Sequence, residues 1–226
     1  PIIDTGPDSP FPTPDAEVDC NGGADFTSIQ EAINSVLSPA RIAVAPCTYH
    51  ERIDMLGKVI DLYGIEGSSE TILNGDNGGT VVDFEVFETG WSRLAGFTIT
   101  GGYDEADGAA MELTGSSVEL QDVVFTGNTG LNIVRGTGAS MDMSEVVFSG
   151  NSVSAEGQAI IADSGGGLSL YRSEVNCDGG AQAIWHHIQL IVSESTILCE
   201  TGAGIHDYHG EDYLLRSTVY GATSGV

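Results

Sequence analysis

Apolar side chains fall at helical spacing in only one stretch of this chain. Phe26, Ile29, Ile33 and Val36 recur every three or four positions with Gln30, Glu31 and Asn34 between them, which predicts an amphipathic helix over about 27–37. Thr27 followed by Gln30, or Ser28 followed by Glu31, makes a capping box at its start. From Pro39 onward the pattern becomes short β-branched runs, such as RIAVA (41–45) and KVIDLYG (58–64), separated by Gly, Asn and Asp. These predict strands and no second helix of useful length. Residues 1–19 hold five of the seven prolines and few core-forming side chains, so they read as an extended tail or linker ahead of a folded unit over 20–226.

The strand region repeats. The sets Leu94/Phe97/Ile99/Gly101, Leu120/Val123/Phe125/Gly127, Met143/Val146/Phe148/Gly150, Leu170/Ser173/Val175/Cys177, Val192/Ser195/Ile197/Cys199 and Leu214/Ser217/Val219/Gly221 align on one template with a period of about 24. A second register lies in the gaps: GAAM (108–111), GLNI (130–133), GQAI (157–160), AQAI (181–184) and GAGI (202–205). Two strand registers per period without a helix indicate a β-solenoid, each turn pairing in parallel with the next at about 4.8 Å. The asparagine ladder and LxxLxL consensus of leucine-rich repeats, and calcium-binding nonapeptide repeats, are not expected.

The run DFTSIQEAI (25–33), then AVAPCTYHERI (43–53), KVIDLYG (58–64), TILNG (71–75) and LAGFTITGG (94–102) resembles the opening of pectin-lyase-like right-handed parallel β-helix proteins. The resemblance implies an all-β, single-stranded right-handed β-helix of about 7–8 coils, with the helix plugging the first coil and repeat coils over about 41–226. It implies no one activity, because the family includes lyases, hydrolases, surface proteins and structural spikes.

Stacking turns spacing into contacts. Asp122, Glu145, Arg172, Glu194 and Arg216 share one repeat position and alternate in sign from Glu145 onward, an expected ladder of charge. Cys177 and Cys199 occupy the position held by glycine in other coils, so their backbones should lie close to 5 Å apart, within disulfide range. Cys20 and Cys47 flank the helix and would staple it to the first coil. A metal site is the weaker reading of these cysteines, since no CxxC spacing occurs.

Charge narrows the partners. With 33 acidic and 7 basic residues the 226-residue chain carries −26, which excludes nucleic acid and anionic membrane surfaces as partners. No apolar run is long enough to be a transmembrane segment. Four cysteines, few lysines and an opening at Pro1, which fits removal of a leader, point to a secreted or cell-surface, extracellular protein.

Candidate chemistry sits in two places. The acidic groups Asp83/Glu85/Glu88, Asp104/Glu105/Asp107 and Asp207/Glu211/Asp212 read mainly as solvated loops. Asp104, Glu105 and Asp107 could take calcium, although no cofactor is required. In the second register Glu112, Val134, Ile161, Trp185 and His206 share one column, and Asp163, His187 and Tyr208 another. Val134, Ile161, Trp185, His187 and Tyr208 would form an outward binding or assembly surface. His186, His206 and Asp207 are the catalytic candidates beside it, and His206-x-x-His209 is a weak metal pattern. A polyuronate would be repelled by this surface, which weighs against lyase chemistry.

The last coil begins at Gly202 and the sequence ends in TSGV with no covering helix, proline or charged cluster. An open parallel edge is a template for further pairing, by a longer solenoid or by a second copy docked head to tail, with the Pro/Asp tail able to add a strand in trans. The expected function is therefore a structural or adhesive surface protein that self-associates end to end into a filament or adhesive assembly. The alternatives are a carbohydrate-active enzyme, lyase or glycoside hydrolase, and a module that binds extracellular polysaccharide without turnover.

Overall fold

The computed structural model describes residues 13–84, 90–163, 165–177, 179, 182–207 and 212–225, with the backbone alone at 201 and 222–225. The tail 1–12, Glu85, Glu88, Tyr208, His209 and Glu211 lie outside the described residues. The chain winds as an all-β, right-handed parallel solenoid of about eight turns. Among the described residues every ladder between strands is parallel.

Three walls enclose the core. The first comprises Ala40–Val44, Ile60–Gly64, the leading halves of Trp91–Thr100 and Ser117–Phe125, then Ser140–Ser144, Gly167–Tyr171, Gln189–Ser193 and Asp212–Leu215. The second continues round a tight corner through Cys47–His50, Thr71–Asn74, the trailing halves of Trp91–Thr100 and Ser117–Phe125, Val147–Phe148, Glu174–Asn176 and the openings of Thr196–Asp207 and Thr218–Gly225. The third comprises Ile53–Asp54, Val82–Phe84, Tyr103–Thr114, Thr129–Thr137, Ser152–Asp163, Gln182–His186 and the end of Thr196–Asp207.

Like residues stack as the repeat predicts. Leu73, Ile99, Phe125, Phe148, Val175, Ile197 and Val219 are successive in-register partners, and the rings of Phe125 and Phe148 lie 4.6 Å apart, stacked. Alternation puts these side chains inside because each strand shows one face to the lumen. Where the later coils carry serine at the corner, the hydroxyl replaces hydrophobic contact by hydrogen bonds. Ser173 Oγ accepts from Val146 N at 3.1 Å and Ser195 Oγ from Ser173 N at 3.0 Å, and each donates to the carbonyl two residues before it.

Both predicted disulfides are present. Cys20 bonds Cys47 across 27 residues, and Cys177 bonds Cys199 with Cα atoms 5.1 Å apart. The charge ladder is also present from Arg172 onward: Arg172 Nε lies 3.1 Å and Arg216 Nη1 3.7 Å from the Glu194 carboxylate. Asp122 instead accepts from Ser68 N and Oγ, pinning the loop at 68. A second alternating ladder, Arg41–Asp61–Arg93–Glu119, runs up the first wall with contacts of 2.9, 3.0 and 3.9 Å.

Three readings change. The solenoid starts before residue 20: Ala16–Val18 forms a strand against Ile42–Val44 because Ala16 and Val18 point into the core. The helix is Ile29–Ser35, shorter than 27–37, and Val36 is already extended. An asparagine ladder also exists: Asn128 Nδ2 donates to Asn151 Oδ1 at 3.1 Å, and both side chains donate to carbonyls of the turn below, Ile99 O and Phe125 O. It has fewer rungs than a leucine-rich repeat would need, which hid it among the Gly-Asn turn signals.

Candidate functional site

The outward column of the third wall is the place where charge, burial and register meet. In order along the axis it reads Asp54, Asp83, Glu112, Arg135, Ile161, Trp185 and His206. Val134, expected in this column, is instead a fully buried core residue paired with Met111 and Ile160. The register is irregular around Gly130 and Asn132, so Val134 rather than Ile133 meets Met111 and Ile160, and Arg135 takes the outward place beside Glu112 and Ile161. The apolar surface is thereby reduced to Ile161 and Trp185, each half-buried, with a cation ahead of them.

Glu112 is the most perturbed group of this wall. Burial pushes its carboxyl up to about 7; the Gly108 amide and Arg135 act in the opposite sense, while Asp107 and Asp83 add to the rise. Gly108 N donates to Glu112 Oε2 at 2.9 Å. A Cβ at Gly108 would fall 1.9 Å from Met111 O, so only glycine brings this amide so close. Arg135, one rung further, is ion-paired with Asp107. Asp83, one rung before, shares the outward face in register with Glu112, from a backbone about 4.8 Å away. A carboxyl that holds its proton to neutral pH, a carboxylate beside it and a guanidinium beyond make a set able to protonate a leaving oxygen, attack or activate water, and stabilise an oxyanion.

Toward the other end, Trp185 and His187 pack with ring centroids 4.4 Å apart, and His187 Nδ1 lies 3.1 Å from Asp163 Oδ1. His186, a catalytic candidate, is fully buried. Its Nδ1 donates to Ile188 O at 2.8 Å, and its Nε2 faces Asp212 Oδ1 at 3.2 Å without a hydrogen bond. It therefore cannot touch a substrate directly and would act only through Asp212. Burial raises the Asp212 pKa, with His186 opposing and Asp207 adding to the rise. Asp207 lies in register with His186 and His206 with Trp185, so the last two turns do gather these four residues.

The calcium candidates do not converge. Asp104 Oδ1 accepts from Ala106 N and Asp107 N at 2.8 Å, Glu105 accepts from the Tyr103 hydroxyl, and Asp107 holds Arg135. Among the described residues no group of three or more His, Cys, Asp or Glu side chains is placed to share a metal ion. Sequence spacing places Glu112 in the outward column but gives it no role and places Val134 where Arg135 stands; the charged set Asp54, Asp83, Glu112 and Arg135 is visible only across rungs, not along the chain.

No protein-family model matches this chain, and no curated protein matches it in sequence. Among solved structures, a pectin methylesterase from carrot is similar, with a TM-score of 0.57 and 14% sequence identity over 96% of this chain and 87% of that one. At that identity the likeness is one of fold: both chains wind as parallel β-helices.

Proposed function

We propose that this protein is an extracellular carbohydrate-active enzyme that hydrolyses an ester or glycosidic bond of a saccharide laid along the third wall. Glu112 is the proton donor, Asp83 the nucleophile or base, and Arg135 the group that neutralises developing negative charge. The observation that carries the reading is the in-register set Asp83, Glu112 and Arg135 on the outward face of the third wall, with burial pushing the Glu112 carboxyl up to about 7. The carrot neighbour is by its name an esterase of pectin, which agrees with this class of substrate. A net charge of −26 favours an esterified or neutral polymer over a free polyuronate. Two disulfides fit an oxidising compartment.

The test is a panel of methyl-esterified pectin and neutral polysaccharides assayed for released methanol, acid and reducing ends. Wild-type protein is expected to turn over at least one of them, with Glu112→Gln and Asp83→Asn each reducing the rate about 10²–10⁴-fold without loss of fold. Equal rates for wild type and both variants would refute the assignment.

End-to-end self-association is a second reading, in which the exposed side chains of Tyr213, Leu215 and Tyr220 would contribute apolar contacts. Sedimentation velocity across a wide concentration range, with Leu215→Lys as control, decides it: a single monomeric species throughout excludes assembly.

A further inference from the structure

A groove on the first wall, away from Glu112, has the make-up of a saccharide site. Its floor runs over three in-register rungs, 140–142, 167–169 and 189–191, with Met141, Leu168 and Leu190 turned inward. The outward column reads Trp91, Ser117, Ser140, Gly167, Gln189. Small side chains between a large indole and a long amide leave a trough of about 190 Å³ lined by Trp91, Ser140, Asp142, Ser169, Gln189 and Ile191 among others. The rungs are about 4.8 Å apart, so the floor spans roughly 10 Å along the axis, enough for one or two sugar rings.

Its chemistry is specific in kind. Trp91 is 53% exposed and Ile191 37%, so two apolar surfaces border the trough that the core does not use. An exposed indole offers a flat apolar face on which the C–H side of a pyranose can rest. Between these surfaces stand a carboxylate, two hydroxyls and an amide, the mixture of acceptors and donors that sugar hydroxyls need. Ser169 Oγ donates to Asp142 Oδ1 and so fixes the carboxylate at the groove edge. No lysine or arginine lines the trough, and Asp142 is its one charged lining residue. That arrangement rejects a polyuronate.

We propose that this groove is a second, non-catalytic binding site that holds a neutral polysaccharide chain, with Trp91 as its platform and Asp142, Ser140 and Gln189 as its polar contacts. It does not require the hydrolytic reading of Glu112 to be right. Binding on the first wall raises the local concentration of polymer near the third wall of the same molecule, which lies one corner away.

Affinity electrophoresis of the full chain in gels containing soluble β-glucan, galactomannan, fully methyl-esterified pectin or polygalacturonate tests it, with wild type, Trp91→Ala, Trp91→Phe, Gln189→Ala and Glu112→Gln. A neutral polymer is expected to retard wild type and Glu112→Gln equally. Trp91→Ala should weaken retardation at least tenfold and Gln189→Ala severalfold, while Trp91→Phe keeps most of it. The chain has two tryptophans, so Trp185→Phe leaves Trp91 as reporter, and its fluorescence should change on titration with the retained polymer. Unaltered retardation of Trp91→Ala, retardation by polygalacturonate alone, or no retardation by any neutral polymer overturns the proposal. Loss in Glu112→Gln with retention in Trp91→Ala would place the polymer on the third wall and also overturns it.

Discussion

The corner residues Asp122, Glu145, Arg172, Glu194 and Arg216 all adopt a left-handed backbone, with φ between 48° and 56°, and Gly96 occupies the same position one turn earlier. A left-handed L-residue costs roughly 1–2 kcal/mol, whereas an exposed ion pair contributes about 0.2–1 kcal/mol. Strain therefore outweighs the ladder at Arg216, whose side chain is 86% exposed. Arg216→Gly is expected to leave the thermal midpoint unchanged or raise it, and Arg216→Val to lower it; a glycine variant less stable than the valine one would contradict this. The ladder was legible from spacing, but its conformation was not, because charge alone does not reveal φ. Glu112 belongs to the same scale. Its folded pKa of about 7 lies above the ordinary 4.5, so the folded state binds the proton more tightly. Its stabilising contribution is complete below about 4.5 and is lost as pH rises through about 7. Calorimetry from pH 4.5 to 8 should show stability falling more steeply in wild type than in Glu112→Gln, and any hydrolytic rate should fall above about pH 7 as the acid ionises.

Among the elements, the Ile29–Ser35 helix illustrates how a short segment is held by what it covers. Seven residues are too few to be helical alone, and this helix relies on Ile29, Ala32 and Ile33 buried on the first coil. Its ends are closed from outside. Glu51 accepts from Ile29 N at 2.7 Å and Gln30 N at 3.0 Å, adding to Ser28 Oγ on Glu31 N. Lys58 Nζ donates to Ile33 O and Val36 O at 2.7 and 2.8 Å, complementing the carbonyl end. Glu51→Ala should cost about 1–2 kcal/mol and Lys58→Ala about 1 kcal/mol in urea unfolding. A change below a few tenths of a kcal/mol for both would show that apolar burial alone fixes the helix. Periodicity identified the helix and its Ser28 cap; the caps from Glu51 and Lys58 come from the next coil, which no local window contains.

Across the whole molecule, the two disulfides fasten widely separated turns of a solenoid whose turns touch only their neighbours. Each closes a loop worth about 3.5 kcal/mol of chain entropy in the unfolded state. Reduction should lower the melting temperature, and the paired variant Cys177→Ser/Cys199→Ser should lose hydrogen-exchange protection first in the last turns rather than over the capped end; uniform loss throughout would indicate one cooperative unit. Charge is organised at this scale as well. Arg41 and Arg93 are engaged in the first-wall ladder, Arg135 with Asp107, Arg172 and Arg216 with Glu194, and Lys58 on the helix end. These six of the seven cations are thus dispersed among carboxylates and carbonyls rather than gathered to recruit an anionic polymer.

The sequence by itself determined the parallel solenoid, the core columns of its corner and the Cys177–Cys199 bridge, which follow from a period of about 24 and from which face of a strand is apolar, and the helix and its Cys20–Cys47 staple, which follow from helical spacing and from the cysteines that flank it. On the third wall it placed Glu112, Ile161, Trp185 and His206 in one outward column but not Arg135, because the register of Thr129–Thr137 is irregular against both neighbouring strands and such irregularities are set by how adjacent turns settle their hydrogen bonds. The burial of His186, the raised pKa of Glu112 and the trough beneath Trp91 likewise arise only when side chains from separate turns are brought within a few ångströms of one another, where desolvation and shape, which a linear string of residues does not carry, take over.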